Sequence, residues 1–231
     1  MSERYAIYFA PAAGSDLARF ADRWLGRDAE TGEVVPQPEL DGLDAERLRA
    51  LTEAPRHYGF HGTLKPPFRL ANGCDVDDLH RAMAGFAARQ AAFEIAALQL
   101  REIGDFLALA PADPAPALSS LADACVTEFD AYREAPDAAE LAKRHAAGLT
   151  PRQAELLARW GYPYVLDEFR FHLTLTGPIA DPMERTRVVG LLQPLVAPLL
   201  MQRMPVREFS LFHQPDRATP FRLIQRIPFG R

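Results

Sequence analysis

Two short stretches of this chain carry the same polar pair. His61-Gly62-Thr63-Leu64 and His172-Leu173-Thr174-Leu175 each place a histidine two residues before a threonine, with a leucine after it. Histidine, with an unperturbed pKa of about 6.5, gives or takes a proton near neutral pH. A threonine hydroxyl can donate to an oxygen on which charge grows in a transition state. Two imidazoles and two hydroxyls around one centre suit the opening of a phosphate ester. One histidine acts as base on the attacking oxygen and the other as acid on the leaving oxygen. A metal site is a second reading, but no Asp, Glu or Cys lies near either motif at a typical ligand spacing. A satisfied core histidine beside a strand-favouring threonine is the plain structural alternative for either motif alone. Its recurrence in both halves argues against that alternative.

To act together, these groups must share a surface. Residues i and i+2 of a strand point to the same face. His61 and Thr63 therefore share one face, as do His172 and Thr174, while Phe60, Gly62, Leu64, Phe171, Leu173 and Leu175 turn to the other and can pack a core. The expected arrangement is two imidazoles facing one cleft, roughly 5 to 8 Å apart, given hydrogen-bond reach on both sides of one phosphorus.

The rest of the chain supplies elements to hold such strands. Tyr5 to Phe9 alternates as a strand, with Pro11 as its stop. Ser15 caps a helix carrying Leu17, Phe20 and Trp24, and Gly26 ends it. Residues 28–43, with Gly32, Pro36, Pro38 and Gly42, read as a loop, and a short helix follows from Asp44 to Thr52. Residues 58–64 read as a strand stopped by Pro66-Pro67, and Asp75 to Gln90 as a helix. Phe93 to Glu102 and Asp105 to Ala110 form a strand pair about Gly104. Residues 114–147 read as helical with a break at Pro136, and Thr150 to Gln153 is a capping box opening a helix that Gly161 ends. Glu168 to Thr176 is the second motif's strand. A helix over 182–202, interrupted at Pro194 and Pro198, leads to strands Val206–His213 and Phe221–Phe229. The fold class is α+β, in one domain spanning 1–231. Each half repeats a short strand with a histidine, a helix and a strand pair. Residues 28–55 are an insertion, and 114–161 a helical connection.

The paired His-x-Thr motifs and this order of elements resemble the two-histidine (2H) phosphoesterase superfamily along nearly the whole chain. The segment Arg56-His57-Tyr58-Gly59-Phe60-His61-Gly62-Thr63-Leu64-Lys65-Pro66-Pro67-Phe68 resembles, more narrowly, an uncharacterised branch found beside phosphonate-degradation genes. The resemblance implies a two-lobed fold, two antiparallel sheets with outer helices related by a pseudo-twofold around a central cleft. It also implies metal-independent hydrolysis of a small sugar or nucleotide cyclic phosphate, with no cofactor. The competing functions are an RNA-end 2′,3′-cyclic phosphodiesterase and a non-catalytic phosphate- or nucleotide-binding module. Intact histidines in both motifs argue against the module.

Basic and aromatic neighbours extend the candidate site. Arg56 and Lys65 flank the first motif. Arg170, two residues before His172, shares its face, and an arginine there could grip a phosphate. Tyr58 enters on the resembling segment alone, and His213 as a strand-end histidine in the second half. His57 has no such context. His80 and His145 fall on helical stretches facing solvent, while Trp24 and Trp160 read as core. Cys74 and Cys125 have no base at motif spacing and read as inert.

Composition narrows the setting. The chain has 231 residues, 48% apolar and 25% charged, which argues against disorder. A net charge of −5 disfavours long nucleic acid as a partner but not a small anion in a local basic pocket. Two cysteines are too few for a disulfide framework, no apolar run reaches membrane-spanning length, and the first residues lack a signal peptide's cleavage pattern. A cytoplasmic protein is the expectation.

Overall fold

A computed structural model describes residues 3–137, 141–142 and 148–230. Nine strands are described: β1 (Arg4–Phe9), β2 (Gly62–Phe68), β3 (Phe93–Ile95), β4 (Leu98–Ile103), β5 (Phe106–Pro111), β6 (Leu173–Thr174), β7 (Met204–Val206), β8 (Glu208–Gln214) and β9 (Arg222–Pro228). The helices among the described residues are α1 (Asp16–Leu25), α2 (Ala45–Leu51), α3 (Glu53–Tyr58), α4 (Val76–Ala87), α5 (Pro116–Glu128), α6 (Pro151–Trp160) and α7 (Pro182–Leu200). The α+β class expected from the sequence is the class observed.

Seven strands form one antiparallel sheet in the order β4-β5-β6-β2-β1-β8-β9, and β3 pairs with β7 in a second, two-stranded sheet. The large sheet interleaves the two halves of the chain. From the β6–β2 junction the order runs β6, β5, β4 on one side and β2, β1, β8 on the other, with β9 added at the far edge. The two motif strands are thus central neighbours.

One face of this sheet is the main core. Tyr5, Ile7, Phe9, Leu64, Leu109, Leu173 and Leu175 lie in one buried cluster with Trp24 of α1, Met83 and Phe86 of α4, Leu121 and Cys125 of α5, and Val188, Leu192 and Val196 of α7. Each such side chain, fully buried, contributes roughly 1.5–3 kcal/mol. The alternation within each motif follows. Gly62, Leu64, Leu173 and Leu175 are buried, while His61, Thr63, His172 and Thr174 are only half-buried, on the opposite face.

Several local expectations need correction, among them the single strand expected over Phe93–Glu102, which is split into β3 and β4 in different sheets. Strand β2 starts at Gly62 and runs through Pro66-Pro67 to Phe68, while residues 53–58 are helical. Successive N–H positions point to opposite edges, so one proline falls on the β6 edge, where pairing ends at Gly62, and the other on the β1 edge, where the ladder shifts register between Tyr5–Phe68 and Ile7–Lys65. Helix α7 is continuous through Pro194 and Pro198. Both prolines are exposed, and the buried row Val188, Leu192, Val196 offsets the lost backbone bonds. Within 114–147 the described helical residues are α5, a 3₁₀ turn at Asp130–Tyr132 and residues 141–142, with a non-helical stretch at 133–137 around Pro136; residues 138–140 and 143–147, His145 among them, lie outside the described residues. The long strand expected over Glu168–Thr176 is two residues, Leu173–Thr174: a 3₁₀ turn ends at Glu168, and the Arg170 carbonyl is taken by His172 Nδ1 instead of a ladder partner.

Residues 28–55 are tied to the neighbouring elements. Leu223 N–H donates to the Ala29 carbonyl, Arg222 to the carbonyls of Glu30 and Thr31, and Gln37 to the Trp24 carbonyl and the Thr52 hydroxyl. No helix among the described residues is long and apolar enough to cross a membrane.

Candidate active site

Strands β2 and β6 meet at one antiparallel pair, Gly62 opposite Leu173. Extending that register puts His61 opposite Thr174 and Thr63 opposite His172, all four on the face away from the core. Each histidine therefore has a threonine beside it on its own strand and another across from it. The two imidazoles sit on a diagonal, a relation that separates residues by roughly 7–8 Å. They are close enough that a charge on His172 disfavours one on His61.

Each imidazole is anchored in the same way. His61 Nδ1 lies 2.8 Å from the Gly59 carbonyl oxygen, and His172 Nδ1 lies 2.7 Å from that of Arg170. A carbonyl only accepts, so Nδ1 carries the proton in both rings and donates it. This leaves both Nε2 atoms as bases. Thr63 Oγ1 stands 3.3 Å from His61 Nε2 and can donate to it. Burial pushes the His61 pKa down to about 4, with the neighbouring His172 adding to the shift and the Gly59 carbonyl opposing it. Burial also lowers His172, against the pull of the Arg170 carbonyl.

The two histidines have different surroundings. The Tyr8 ring lies flat on His61, with centroids 3.7 Å apart and planes 17° apart. Tyr58 approaches the same imidazole at 6.2 Å and stacks on Phe221. Arg4 lies beside the Tyr58 hydroxyl and 5.3 Å from the Phe221 ring, and its Nε donates to Gln214 Oε1 at 2.8 Å. Gln214 Nε2 in turn reaches His57 Nε2 at 2.8 Å. His172 instead borders a cavity of about 420 Å³. Thr63, Phe106, Tyr162, Tyr164 and Phe169 help to wall it, with the exposed Arg170 among its lining.

The expected binding residues divide. Tyr58 stands beside His61, and Arg170, with Nη1 donating to the Asp167 and Phe169 carbonyls and its other N–H groups still available, stands beside His172 in the cavity lining. Arg56 does not, because its guanidinium turns back to the Arg49 carbonyl of α2. Lys65 is 1% exposed, with Nζ donating to the Val126 carbonyl at 2.9 Å and lying 3.5 Å from Asp130. The cause is a register shift in the β1–β2 ladder. Tyr8 pairs with Thr63 on the site face, but Ile7, a core residue, pairs with Lys65. The irregularity turns the lysine inward, as a bulge does. Burial then lowers its pKa to about 8, against the opposing pull of Asp130. His213 pairs with the core-facing Tyr5, and its Nε2 meets Glu3 at 2.9 Å, so it lies on the other face. Among the described residues no three His, Cys, Asp or Glu side chains gather as a metal-binding group.

Residues 63–222 match the family model described as "Protein of unknown function (DUF1045)". The chain belongs to the DUF1045 family. The matched stretch holds Thr63, His172 and Thr174 and begins two residues after His61. Two curated proteins named ribose 1,5-bisphosphate phosphokinase PhnN are similar to the chain. The one from Janthinobacterium sp. (strain Marseille) is 38% identical over 98% of it, and the one from Laribacter hongkongensis (strain HLHK9) is 34% identical over 97%. The DUF1045 chain spans about half the length of these relatives, 51% of each. Among solved structures, E. coli LigT in its apo form superposes with a TM-score of 0.46 at 12% identity, covering 100% of this chain and 99% of that one.

Three contributors to the DUF1045 site escaped the motif reading. Gly62 carried a signal, since a glycine inside a strand marks close approach. A Cβ there would stand 2.2 Å from the Phe171 ring. Gly59 holds φ +77°, which lets α3 end and its carbonyl turn to His61. Tyr8 was visible only as a large aromatic residue out of phase with Ile7 and Phe9.

Proposed function

We propose that this DUF1045 chain is a phosphodiesterase of the two-histidine type that opens a small cyclic phosphate with water. The observation that carries the reading is the matched anchoring of two diagonal imidazoles, each holding Nδ1–H on a carbonyl two residues upstream and leaving Nε2 to the cleft. One Nε2 takes a proton from water as its oxygen bonds to phosphorus. The other, protonated, gives its proton to the ester oxygen as the P–O bond breaks. Bound phosphate favours that second protonation, because it places negative charge beside a half-buried imidazole. Thr63 and Thr174 lie on opposite sides of the diagonal and can donate to the non-bridging oxygens. Arg170, exposed in the cavity lining with part of its guanidinium on the Asp167 and Phe169 carbonyls, would meet the phosphate from the open side with its remaining N–H groups.

A ribosyl 1,2-cyclic phosphate is the substrate we favour. Its opening at O2 leaves phosphate on C1. With a second phosphate on C5, the product would be ribose 1,5-bisphosphate, the compound in the name of the twice-longer relatives. A role in phosphonate breakdown, which the residues around His61 suggest by resemblance, is consistent with this. One observation favours a second reading, a 2′,3′-cyclic nucleotide or RNA end. The cavity beside His172 has aromatic walls from Phe106, Tyr162, Tyr164 and Phe169, suited to a planar base.

The test is incubation with ribosyl 1,2-cyclic phosphate, its 5-phosphate and 2′,3′-cyclic nucleotides, with and without chelator, followed by ³¹P NMR. Hydrolysis that survives chelation and is lost in both His61→Asn and His172→Asn is the expected result. Full activity in either variant would remove that histidine from the mechanism.

A further inference from the structure

The ladder positions that flank the two motifs are not equivalent. In the sheet order, β1 lies outside β2 as β5 lies outside β6. Tyr8 of β1 is opposite Thr63, and Ala108 of β5 is opposite Thr174. At matching places, one motif is flanked by a phenol and the other by a methyl group. The phenol covers one face of the His61 ring at 3.7 Å, and Tyr8 is itself 1% exposed, packed against Phe212 and Phe221. His172 has Phe106 at 5.6 Å, tilted by 51°, and otherwise borders the open cavity.

We propose that Tyr8 is a positioning residue that fixes His61 as the proton acceptor and leaves His172 as the proton donor. The assignment of roles rests on the phosphodiesterase reading above. A ring stacked flat on an imidazole strips water from that face and holds its plane, so the Nε2 lone pair keeps one direction. The titratable and charged groups around His61 are Tyr8 from β1, Tyr58 from the end of α3 and His172 from β6, with Arg4 behind the two phenols and Tyr162 also within reach of Tyr8. The ring face also attracts a cation, which opposes the effect. Burial outweighs it here, because Tyr8 is backed by two phenylalanines and no carboxylate among these neighbours supports a charged imidazole. The lowered pKa of His61 agrees with that balance. In the reaction, water's proton goes to His61 Nε2, the new P–O bond forms, and the leaving oxygen takes the Nε2 proton of His172. Exchange with solvent then restores both rings.

The experiment is a histidine-selective NMR titration of the ligand-free protein, assigned with His61→Asn and His172→Asn. In the wild type His61 should titrate below His172; the reverse order, or equal values, would overturn the proposal even if no Tyr8 variant folded. Tyr8→Leu should raise the His61 midpoint by about one pH unit or more, a tenfold gain in proton affinity, and leave His172 in place. Tyr8→Phe, which keeps the ring, should restore the wild-type value. An unmoved His61 in Tyr8→Leu would show that the stack does nothing. On any cyclic phosphate that the wild type hydrolyses, Tyr8→Leu should move only the ascending limb of kcat/KM against pH. Movement of the descending limb would reverse the assigned roles. The ligand-free titration needs no substrate, so failure of Tyr8 and failure of the phosphodiesterase reading are separable.

Discussion

Replacing Gly62 by alanine tests whether the core sets the distance between the two motif strands. The added Cβ would stand 2.2 Å from Phe171 Cε2 and 2.4 Å from Cζ, where ordinary contact begins at 3.4 Å. Something must therefore move by about 1 Å. Phe171 is 9% exposed and packs edge-on against Phe9 at 5.9 Å, so its ring has little room to retreat. Part of the strain must pass into the separation of β2 and β6, which meet at Gly62 and Leu173. Overpacking of this kind costs roughly 1–3 kcal/mol. A misplacement of about 1 Å at reacting groups can cost on the order of 10²-fold in rate. Urea unfolding and steady-state kinetics on a hydrolysed cyclic phosphate would read both effects. Phe171→Leu in the Gly62→Ala background should recover much of the turnover by removing the ring edge. Reduced stability with wild-type kcat would refute the claim that this contact sets the catalytic spacing, and no effect on either would refute the contact itself.

Three other outcomes are expected. Above pH 6.5 both the folded and unfolded chains hold His61 neutral. As pH falls from 6.5 to about 4 the unfolded chain gains the proton first, so up to about 3 kcal/mol of stability should be lost across that window. His172 acts in the same direction, and urea unfolding of His61→Asn at pH 7 and pH 4.5 should show a smaller difference than the wild type. Thr63→Val and Thr174→Val should each lower kcat by about tenfold or more with little change in KM, because their hydroxyls meet charge that grows in the transition state. Arg170→Ala should chiefly raise KM, whereas Arg56→Ala should leave both constants unchanged, since its guanidinium caps the end of α2; an unchanged Arg170→Ala would remove that arginine from the phosphate.

The motif strands were legible because period-2 alternation is a local property. Leu173 and Leu175 alternate with His172 and Thr174, and no tertiary information is needed to sort the two faces. The fate of Lys65 was not legible. It lies two residues after Thr63, and only the register shift against β1 sends it into the core, an event decided by a partner strand far away in sequence. His213 misled for a related reason, because its face depends on pairing with Tyr5. Tyr8 was hidden by the same non-locality, since nothing near it in the sequence names the imidazole it covers. The helix ends were legible wherever a side chain made the cap, as Ser15 does for α1 and Thr150 for α6. The prolines of β2 and α7 misled because their cost is set by the neighbours they lack.

Both histidines stand one residue before their strand, and the anchoring explains why. Within a paired strand the carbonyl at i−2 is committed along the ladder, and a side chain pointing out of the sheet cannot turn back to it. The chain must bend just before the strand for Nδ1 to reach that oxygen. Gly59 provides the bend for His61, with φ +77° at the end of α3, and the 3₁₀ turn at Leu166–Glu168 precedes the bend for His172. The strand then begins at Gly62 or Leu173 and directs the threonine. Each motif therefore divides its work at the strand boundary: the bend sets the tautomer, and the strand sets where the hydroxyl points. Gly59→Ala would strain the first device, because its Cβ would meet the Ala29 Cβ at 2.5 Å and its φ is one that L-residues rarely adopt. His61 should then lose its fixed tautomer while β2 and Thr63 stay in place, which ¹⁵N shifts of the imidazole would register directly.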